Sequence, residues 1–211
     1  RALLDLGAVA VVDTVSALCL GDEQLRAPMD LLPKPKRKQL RGFARHGGQV
    51  RIALEREWEV AYGVLAANRA QRAVSLSITF AQFSAYLSKL PSTYKCYVAT
   101  ISNQIVGVAL TVEISEEATY VFYWGDSPPG REVNAVTALY AHIVEETMQS
   151  GKRFLDLGKS SVAGEVDDGL LTFKRRLGAN DTQQTVLSLA GNFTKRFAQP
   201  RPTTPEVELL D

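Results

Sequence analysis

Polar side chains follow a short apolar run near the C-terminal end of the sequence. Asp156 interrupts the run at residues 154–157, and Lys159 and Ser160 come directly after it. A carboxylate at the end of a buried strand is costly unless it has a partner, so Asp156 is expected either to cap the following loop or to orient a substrate amine. Clefts tend to open where crossover strands end, so Lys159 and Ser160 are candidate substrate-binding residues, or members of an ordinary polar loop.

An aromatic segment at residues 119–124 supplies a second kind of chemistry. Its aromatic side chains are Tyr120, Phe122, Tyr123 and Trp124. Alternation along a strand places aromatic rings on both faces, so one set belongs to the core and the other could line a groove for an acyl or sugar-peptide group. In such a groove Tyr123 is placed to act as a general acid toward a leaving thiolate.

No spacing in the sequence singles out a general base. Glu113, Glu165, Asp167 and Asp168 are all candidates. An amine substrate can also lose its proton to water, so the identity of the base stays open.

Cysteine and histidine usage argues against a metal site or a disulfide framework. The chain has two cysteines and two histidines, at positions 19, 96, 46 and 142. Two cysteines cannot make a disulfide framework, and the wide spacing of the four residues matches no four-ligand zinc motif. We therefore expect no metal and a reducing, cytoplasmic location. The longest early apolar run is also far shorter than the roughly 20 residues of a membrane span.

The strongest local charge asymmetry lies between Lys34 and Arg51. This stretch has seven basic residues and no acidic one, although the whole chain is nearly balanced at a formal charge of +1. The stretch could contact tRNA, contact the pyrophosphate of a cell-wall precursor, or form a solvated helix face. Phe43 is its only aromatic residue, so it lacks a stacking platform for bases.

Length and composition are those of an ordinary globular protein. The chain has 211 residues, of which 45% are apolar and 22% charged. Periodicity predicts helices at 36–46, 55–72, 78–90, 132–150 and 167–177, and strands at 94–101, 105–114, 119–124, 154–157 and 183–189. A strand that follows a meander and a long helix favours a parallel crossover. We therefore predict an α+β fold, with a mostly antiparallel sheet and one parallel βαβ crossover flanked by helices.

The order of elements and two motifs resemble a known superfamily. Residues 151–160 read GKRFLDLGKS, and residues 169–179 read GLLTFKRRLGA. Both resemble the FemAB-like branch of the GNAT acyltransferase superfamily, whose members carry a pattern close to F-D-F-G-x-S, a loop, and G-L-x-x-F-K-x-x-x-G. The resemblance covers about residues 31–189 and corresponds to the second lobe of that branch.

The resemblance implies a domain division and a donor site. Residues 1–30 are expected to form a connecting segment, which could be the end of a missing first lobe. Residues 31–192 are expected to form a GNAT-like domain, and residues 193–211 an extended or disordered tail. GNAT enzymes bind acyl-CoA pyrophosphate at a Q/R-x-x-G-x-G/A loop before a helix, and that motif is absent at residues 126–134. Gly130 and Arg131 are the residues there that favour a phosphate.

The family motif also implies roles for Phe173 and Lys174. Lys174 would hold a phosphate or the oxyanion of a tetrahedral intermediate, and Phe173 would contact the substrate. The implied activity is an N-acyltransferase that moves an acyl or aminoacyl group to a small-molecule or peptidyl amine by direct attack. The donor is an acyl-CoA, an aminoacyl-tRNA or another thioester. The alternative is a non-catalytic lobe that binds a phosphate-bearing or peptidyl partner. The oligomeric state stays open.

Overall fold

A seven-stranded sheet forms the centre of the computed structural model, which describes residues 9–21, 32–162 and 164–188. The strands are β1 (Val9–Cys19), β2 (Gln49–Ile52), β3 (Tyr94–Ile101), β4 (Gln104–Glu113), β5 (Ala118–Asp126), β6 (Phe154–Lys159), β7 (Ser161–Val162), β8 (Glu165–Val166) and β9 (Asn180–Ser188). The helices are α1 (Lys34–Arg45), α2 (Trp58–Ala70), α3 (Phe80–Lys89), α4 (Pro128–Glu132), α5 (Ala135–Gln149) and α6 (Asp168–Arg175).

The sheet has the order β2-β3-β4-β5-β6-β1-β9, and β7 and β8 form a separate hairpin. Strands β5 and β6 pair in parallel, and α5 connects them. The other pairings in the described sheet are antiparallel. The predicted α+β class, with one parallel crossover in a mostly antiparallel sheet, is confirmed.

Helices cover the sheet on two faces. Helix α5 packs on one face with α1 and α6 beside it, and its buried Leu139 and Ile143 contact β-strand residues such as Leu155. Helices α2 and α3 pack on the other face, where Phe83 is fully buried. We call these the α5 face and the α2 face. Burial of apolar side chains on both faces is the main source of stability.

Residues 9–19 correct the expectation that residues 1–30 form a connecting segment. They form β1, which pairs with β6 on one side and β9 on the other. Leu18 on this strand is 1% exposed and belongs to the core of the α5 face. Sequence reasoning found no partner for this run because both partner strands lie near the other end of the described chain. The expected tail at 193–211 lies outside the described residues.

The long helix expected at residues 132–150 is interrupted. Asn134 adopts a left-handed conformation, with φ of 61°, and separates the short α4 from α5. Asparagine tolerates this conformation better than most residues. The interruption shapes the loop that follows β5, where a donor phosphate was expected.

Candidate active site

A cleft opens between β5 and β6 because the two strands pair over a short distance only. Their register contains three residue pairs and ends at Tyr120 opposite Asp156. From there β5 continues to Asp126 and β6 to Lys159 without pairing to each other. We call the space between residues 121–126 and residues 157–159 the β5–β6 cleft. Backbone groups of β5 that face it have no ladder partner on that side within the described strands.

A bulge in β5 lies at the start of the cleft. Leu110 of β4 is opposite Tyr123, and the next residue, Thr111, is opposite Val121, so Phe122 is an extra residue in β5. A bulge increases local twist and turns the backbone away from the regular ladder. The bulge therefore contributes to the separation of β5 from β6.

Lys174 holds the other wall of the cleft in place. It is 2% exposed, and its Nζ donates hydrogen bonds of 2.7 Å to the carbonyl oxygens of Gly158 and Lys159. Gly158 has a φ of 77°, a conformation that glycine adopts at low cost. The end of β6 thus curves toward α6 instead of following β5.

Burial lowers the pKa of Lys174 to about 8, against the pull of the negative charges of Asp156, Asp181 and Asp167. An ammonium group has three N–H donors, of which the two carbonyls use two. One donor and the positive charge remain. The lysine expected from the family motif is therefore next to the cleft, as a buried cation bonded to β6.

Asp13 is a buried carboxylate that sequence reasoning missed. It is 4% exposed, and it accepts hydrogen bonds from Lys159 Nζ at 2.6 Å, Ser161 Oγ at 2.8 Å and Gly164 N at 3.1 Å. The bond from Lys159 is the largest cause that lowers the pKa of Asp13. A lone aspartate inside the apolar run of β1 was the available signal. Asp13 fixes the loop that follows β6.

The candidates Asp156 and Ser160 have structural partners. Asp156 Oδ1 accepts a 2.6 Å hydrogen bond from the backbone N–H of Gly158, which is the loop-capping role considered from the sequence. Ser160 has no exposed surface, and its Oγ lies 3.1 Å from Oγ of Ser16. This geometry favours structural roles for Ser160 and for Lys159, which is paired with Asp13. Contact of these residues with a substrate stays a prediction.

Tyr123 points to the α2 face and is 7% exposed. Its hydroxyl accepts a 2.9 Å hydrogen bond from the backbone N–H of Ser77, and the Arg69 guanidinium lies 5.3 Å from its ring centroid. The hydroxyl is therefore already engaged with the loop between α2 and α3. Accepting this bond uses only a lone pair of the phenol oxygen, so a role of Tyr123 as general acid stays a prediction.

Tyr120 is a better-placed hydroxyl that the sequence did not single out. Its ring lies against Gly158 across the start of the cleft, so that a Cβ at Gly158 would come within 3.1 Å of the ring. Burial and the negative charge of Asp156 raise the pKa of Tyr120. It is half-buried and remains a protonated donor at neutral pH.

Phe173 connects the cleft to the helices on the α5 face. Its ring centroid lies 5.7 Å from that of Trp124, which is on β5 beyond the last pair with β6. The Nζ of Lys36, in α1, lies 5.2 Å from the same ring. The basic stretch predicted from the sequence thus begins beside the cleft.

The loop after β5 contains Gly130 and Arg131, the expected phosphate contacts. The N–H of Gly130 donates to Oγ of Ser127 at 3.3 Å, so it is already used as part of a helix cap. Arg131 is exposed and donates to Gln71 at 3.0 Å and to Asp126 at 3.4 Å. The Gly130 N–H and the Arg131 guanidinium thus already have hydrogen-bond partners in the described structure. Their phosphate role stays a prediction.

The four carboxylates considered as general bases do not converge on the cleft. Glu113 forms an ion pair of 2.8 Å with Lys152, and Asp167 caps α6 through a 2.9 Å bond from the N–H of Leu170. Asp168 and Glu165 are exposed.

None of the described helices is long and apolar enough to cross a membrane.

Solved structures share the fold of this chain. FemX superposes with a TM-score of 0.67 at 10% identity, covering 88% of this chain and 63% of FemX. L-PGS from Bacillus licheniformis has a TM-score of 0.64 at 14% identity, with 87% and 63% covered. A GCN5-related N-acetyltransferase from Sphaerobacter thermophilus has a TM-score of 0.55 at 21% identity, with 89% and 54% covered.

These likenesses confirm, at the level of the fold, the resemblance to GNAT and FemAB-like proteins. The chain spans less than two thirds of the length of each of the three structures. No family model matches the sequence, and no curated protein matches it significantly.

Proposed function

We propose that this chain is a transferase domain that moves an acyl or aminoacyl group from an activated donor to an amine. The observation that carries the proposal is the β5–β6 cleft, where a bulged strand separates from its parallel neighbour next to a buried lysine. Beyond Tyr120 the backbone of β5 has no pairing with β6, so an acyl carbonyl that entered there could bind to its N–H groups. The similarity to FemX, to L-PGS and to a GCN5-related N-acetyltransferase supports the same reaction class.

In the proposed reaction, the amine attacks the carbonyl of the donor directly. The amine nitrogen donates its electron pair to the donor carbonyl carbon and forms the C–N bond, while the carbonyl oxygen becomes an oxyanion. Collapse of this intermediate breaks the C–S bond of a thioester or the C–O bond of an ester. The leaving thiolate or alkoxide takes up a proton, and the amine nitrogen gives one up to water or a base.

Residues of this chain have distinct roles in that scheme. Backbone N–H groups of β5 near Phe122 would stabilise the oxyanion, because fixed donors aimed at developing charge are the largest electrostatic contribution to such reactions. Lys174 would add a positive charge at the end of β6. Tyr120 is placed to donate a proton to the leaving group, with Tyr123 as the alternative from the sequence.

The two faces of the cleft suit different substrates. The α5 face carries Trp124 and Phe173 near cationic Lys36, so we assign it to the donor. On the α2 face, Asp156 offers the carboxylate oxygen not used by Gly158, which could orient an amine. Opposed entry of donor and acceptor would allow an in-line approach without mutual exclusion.

The test is an acyl-transfer assay with two classes of donor. The purified chain is mixed with a set of acyl-CoAs or with aminoacyl-tRNA, together with a panel of peptidyl and small-molecule amines, and products are identified by mass. The proposal predicts an amide product with at least one donor class, and strong loss of it in Lys174→Met. Donor binding without product from any amine would instead favour a non-catalytic binding lobe.

Donor binding can be measured independently of turnover. A donor at about 100 times its dissociation constant should stabilise the fold by roughly 2.7 kcal/mol, which is a clear shift in a thermal unfolding experiment. A shift with acyl-CoA identifies a thioester donor. A shift with aminoacyl-tRNA alone identifies the ester donor. No shift with either would contradict the transferase proposal.

A further inference from the structure

Arg69 is a half-buried cation beside the cleft, on the α2 face. It belongs to α2, and its guanidinium lies 5.3 Å from the ring centroid of Tyr123. Tyr123 is on the part of β5 that borders the β5–β6 cleft. The ring attracts the positive charge, but this contact occupies none of the five N–H donors of the guanidinium as an ordinary hydrogen bond. Within the described residues Arg69 forms no ion pair.

The carboxylate at the end of β5, Asp126, has other partners. Its Oδ1 accepts hydrogen bonds from Asn68 at 3.2 Å and from Arg131 at 3.4 Å. Burial raises the pKa of Asp126, and the positive charges of Arg131 and Arg72 oppose that rise. Asp126 thus interacts with two other arginines and does not pair with Arg69.

The ring under Arg69 is held in a fixed position. Tyr123 is 7% exposed, and its hydroxyl accepts a 2.9 Å hydrogen bond from the N–H of Ser77. The guanidinium therefore rests on an ordered support. A cation that is already positioned loses less conformational freedom when an anion binds to it.

A carboxylate lies at the other end of the same aromatic surface. The ring centroids of Tyr123 and Phe122 are 4.5 Å apart, and those of Phe122 and Tyr120 are 6.0 Å apart. Tyr120 is opposite Asp156 in the parallel register. Three neighbouring rings therefore connect the cation Arg69 to the carboxylate Asp156.

Asp156 has a carboxylate oxygen to offer. Its Oδ1 accepts a bond from the N–H of Gly158, and Asp156 forms no ion pair within the described part of the chain. Burial and the negative charge of Asp156 raise the pKa of Tyr120, and the positive charge of Arg69 opposes them. Both charged groups therefore act on the same hydroxyl at the start of the cleft.

Arg69 is on the opposite face of the sheet from the side assigned to the donor. The donor side carries Trp124 and Phe173, with Lys36 near them, on the α5 face. An anion that binds to Arg69 therefore belongs to the molecule that enters from the α2 face. In the proposed reaction, that molecule is the acceptor.

We propose that the acceptor is an amine that carries its own carboxylate, with Arg69 bound to the carboxylate and Asp156 to the amino group. The inference rests on the proposed transferase function, because the ligand is the acceptor of that reaction. The planar fork of a guanidinium matches the two oxygens of a carboxylate. A free amino acid and a short peptide share this chemistry. An amine without an acidic group would leave Arg69 without a partner.

Binding of matched ligand pairs tests the carboxylate contact. L-amino acids and dipeptides are titrated into the chain, each beside its C-terminal amide, which keeps the amine and lacks the negative charge. Affinities are measured by ligand-observed NMR. We expect at least one acid to bind about tenfold or more tightly than its amide, the scale of one charged hydrogen-bonded contact. No binding of any acid, or equal affinity for acid and amide throughout, would overturn the proposal.

The panel also separates the two sources of the carboxylate. A preference for the acid among the free amino acids alone identifies an amino acid as the acceptor. A preference among the dipeptides alone identifies a peptide.

Substitution of Arg69 tests whether it makes the contact. Arg69→Met should remove the preference for acid over amide and leave the affinity for the amide within about twofold. Arg69→Lys keeps the charge without the planar fork, so it should keep part of the preference. A purely structural role of Arg69 would instead weaken acid and amide equally, which would contradict the proposal.

Arg153→Met is the matched control. Arg153 also lies over an aromatic ring, 5.5 Å from the centroid of Phe154, but just before β6 and away from the cleft. This variant should keep the full preference for the acid. A loss of preference in Arg153→Met as large as that in Arg69→Met would refute the assignment.

Asp156→Asn tests the contact with the amino group. Asparagine keeps an oxygen for the N–H of Gly158 and removes the negative charge. Acid and amide both carry the amine, so both should bind more weakly and by a similar factor. Unchanged affinity for both would contradict the amino-group contact.

Transfer assays separate this inference from the proposed function. Binding that prefers the acid through Arg69, with no transfer from any donor, would contradict the transferase function alone. Transfer to amides that is as efficient as transfer to the matching acids would contradict the carboxylate contact alone.

Discussion

The two strands that border the cleft are followed by loops whose positions are fixed by different interactions. The loop after β5 is closed by steric fit, because a Cβ at Gly130 would overlap the carbonyl oxygen of Val106. The loop after β6 is closed by buried charge, through Asp13, Lys159 and Lys174. The N–H of Gly130 in this loop is also used by Ser127 Oγ, so it is not free for a ligand. Closure by charge retains an ammonium beside the cleft, so the chemistry is concentrated on the β6 side.

The largest expected effect tests the steric closure. Gly130→Ala should lower the free energy of unfolding by about 3 kcal/mol or more, because backbone atoms of β4 cannot move away easily. The measurement is denaturant unfolding. Gly42→Ala is the control, since nothing lies within 4 Å of an added Cβ there. That helix substitution should raise stability by about 0.5–1 kcal/mol. Equal effects at both glycines would refute the steric account.

The second prediction tests the buried charge and its connection to activity. Lys174→Met removes the donor to the buried carbonyl of Gly158 and to the carbonyl of Lys159, so it should cost about 1–3 kcal/mol of stability. It should also reduce kcat/KM about 100-fold, the scale for losing one electrostatic contact to an oxyanion.

Lys152→Met is the matched control for that variant. Lys152 lies just before β6, at the end of that strand away from the cleft, and is 8% exposed; it donates to the carbonyl of Ser115 at 3.0 Å and pairs with Glu113 at 2.8 Å. It should lose comparable stability and keep its activity. If both variants lose activity in proportion to stability, Lys174 has a structural role alone.

The third prediction concerns pH. Lys174 has a pKa of about 8 in the folded chain and an ordinary value of 10.5. Between these values the unfolded chain binds more protons, so the contribution of Lys174 to stability rises with pH in this window. The free energy of unfolding of the native chain, relative to Lys174→Met, should therefore increase from pH 8 toward 10. A flat or falling difference would show that the ammonium is not disfavoured by burial.

The smallest expected effects concern the two helix caps that follow the loops. Ser127→Ala removes the acceptor for Gly130, and Asp167→Ala removes the acceptor for Leu170. Each should cost about 1 kcal/mol, the usual value for an N-cap. Asp167→Asn keeps a capping oxygen and should stay near the native stability. A much larger loss in Ser127→Ala would show that the loop after β5 depends on its cap more than on steric fit.

Much of the fold followed from local patterns. The meander at 94–124 and the crossover to residues 154–157 were predictable, because their apolar periods and turn residues are local properties. Helix α3 begins at Phe80, two residues after the predicted start at residue 78, because the side chain of Thr79 caps it by accepting from the N–H of Gln82.

The candidate site was predictable in part. Lys174 was found through a motif and does lie beside the cleft, but its two carbonyl partners could not be read from residue types. Asp13 was missed, since its partners are more than a hundred positions away and β1 joins the sheet between β6 and β9. The same long-range pairing brings Ser16 to Ser160.

The sequence by itself determined the helices and the strands from β3 to β6, and which residue types could stabilise an oxyanion. Periodicity, caps and turn residues act over a few positions, so they can be read along the chain. The tertiary structure decided that β1 joins the sheet, where β5 and β6 separate and that Lys174 is buried. Those features arise from contacts between distant segments, where register, burial and desolvation set the energies that no local pattern contains.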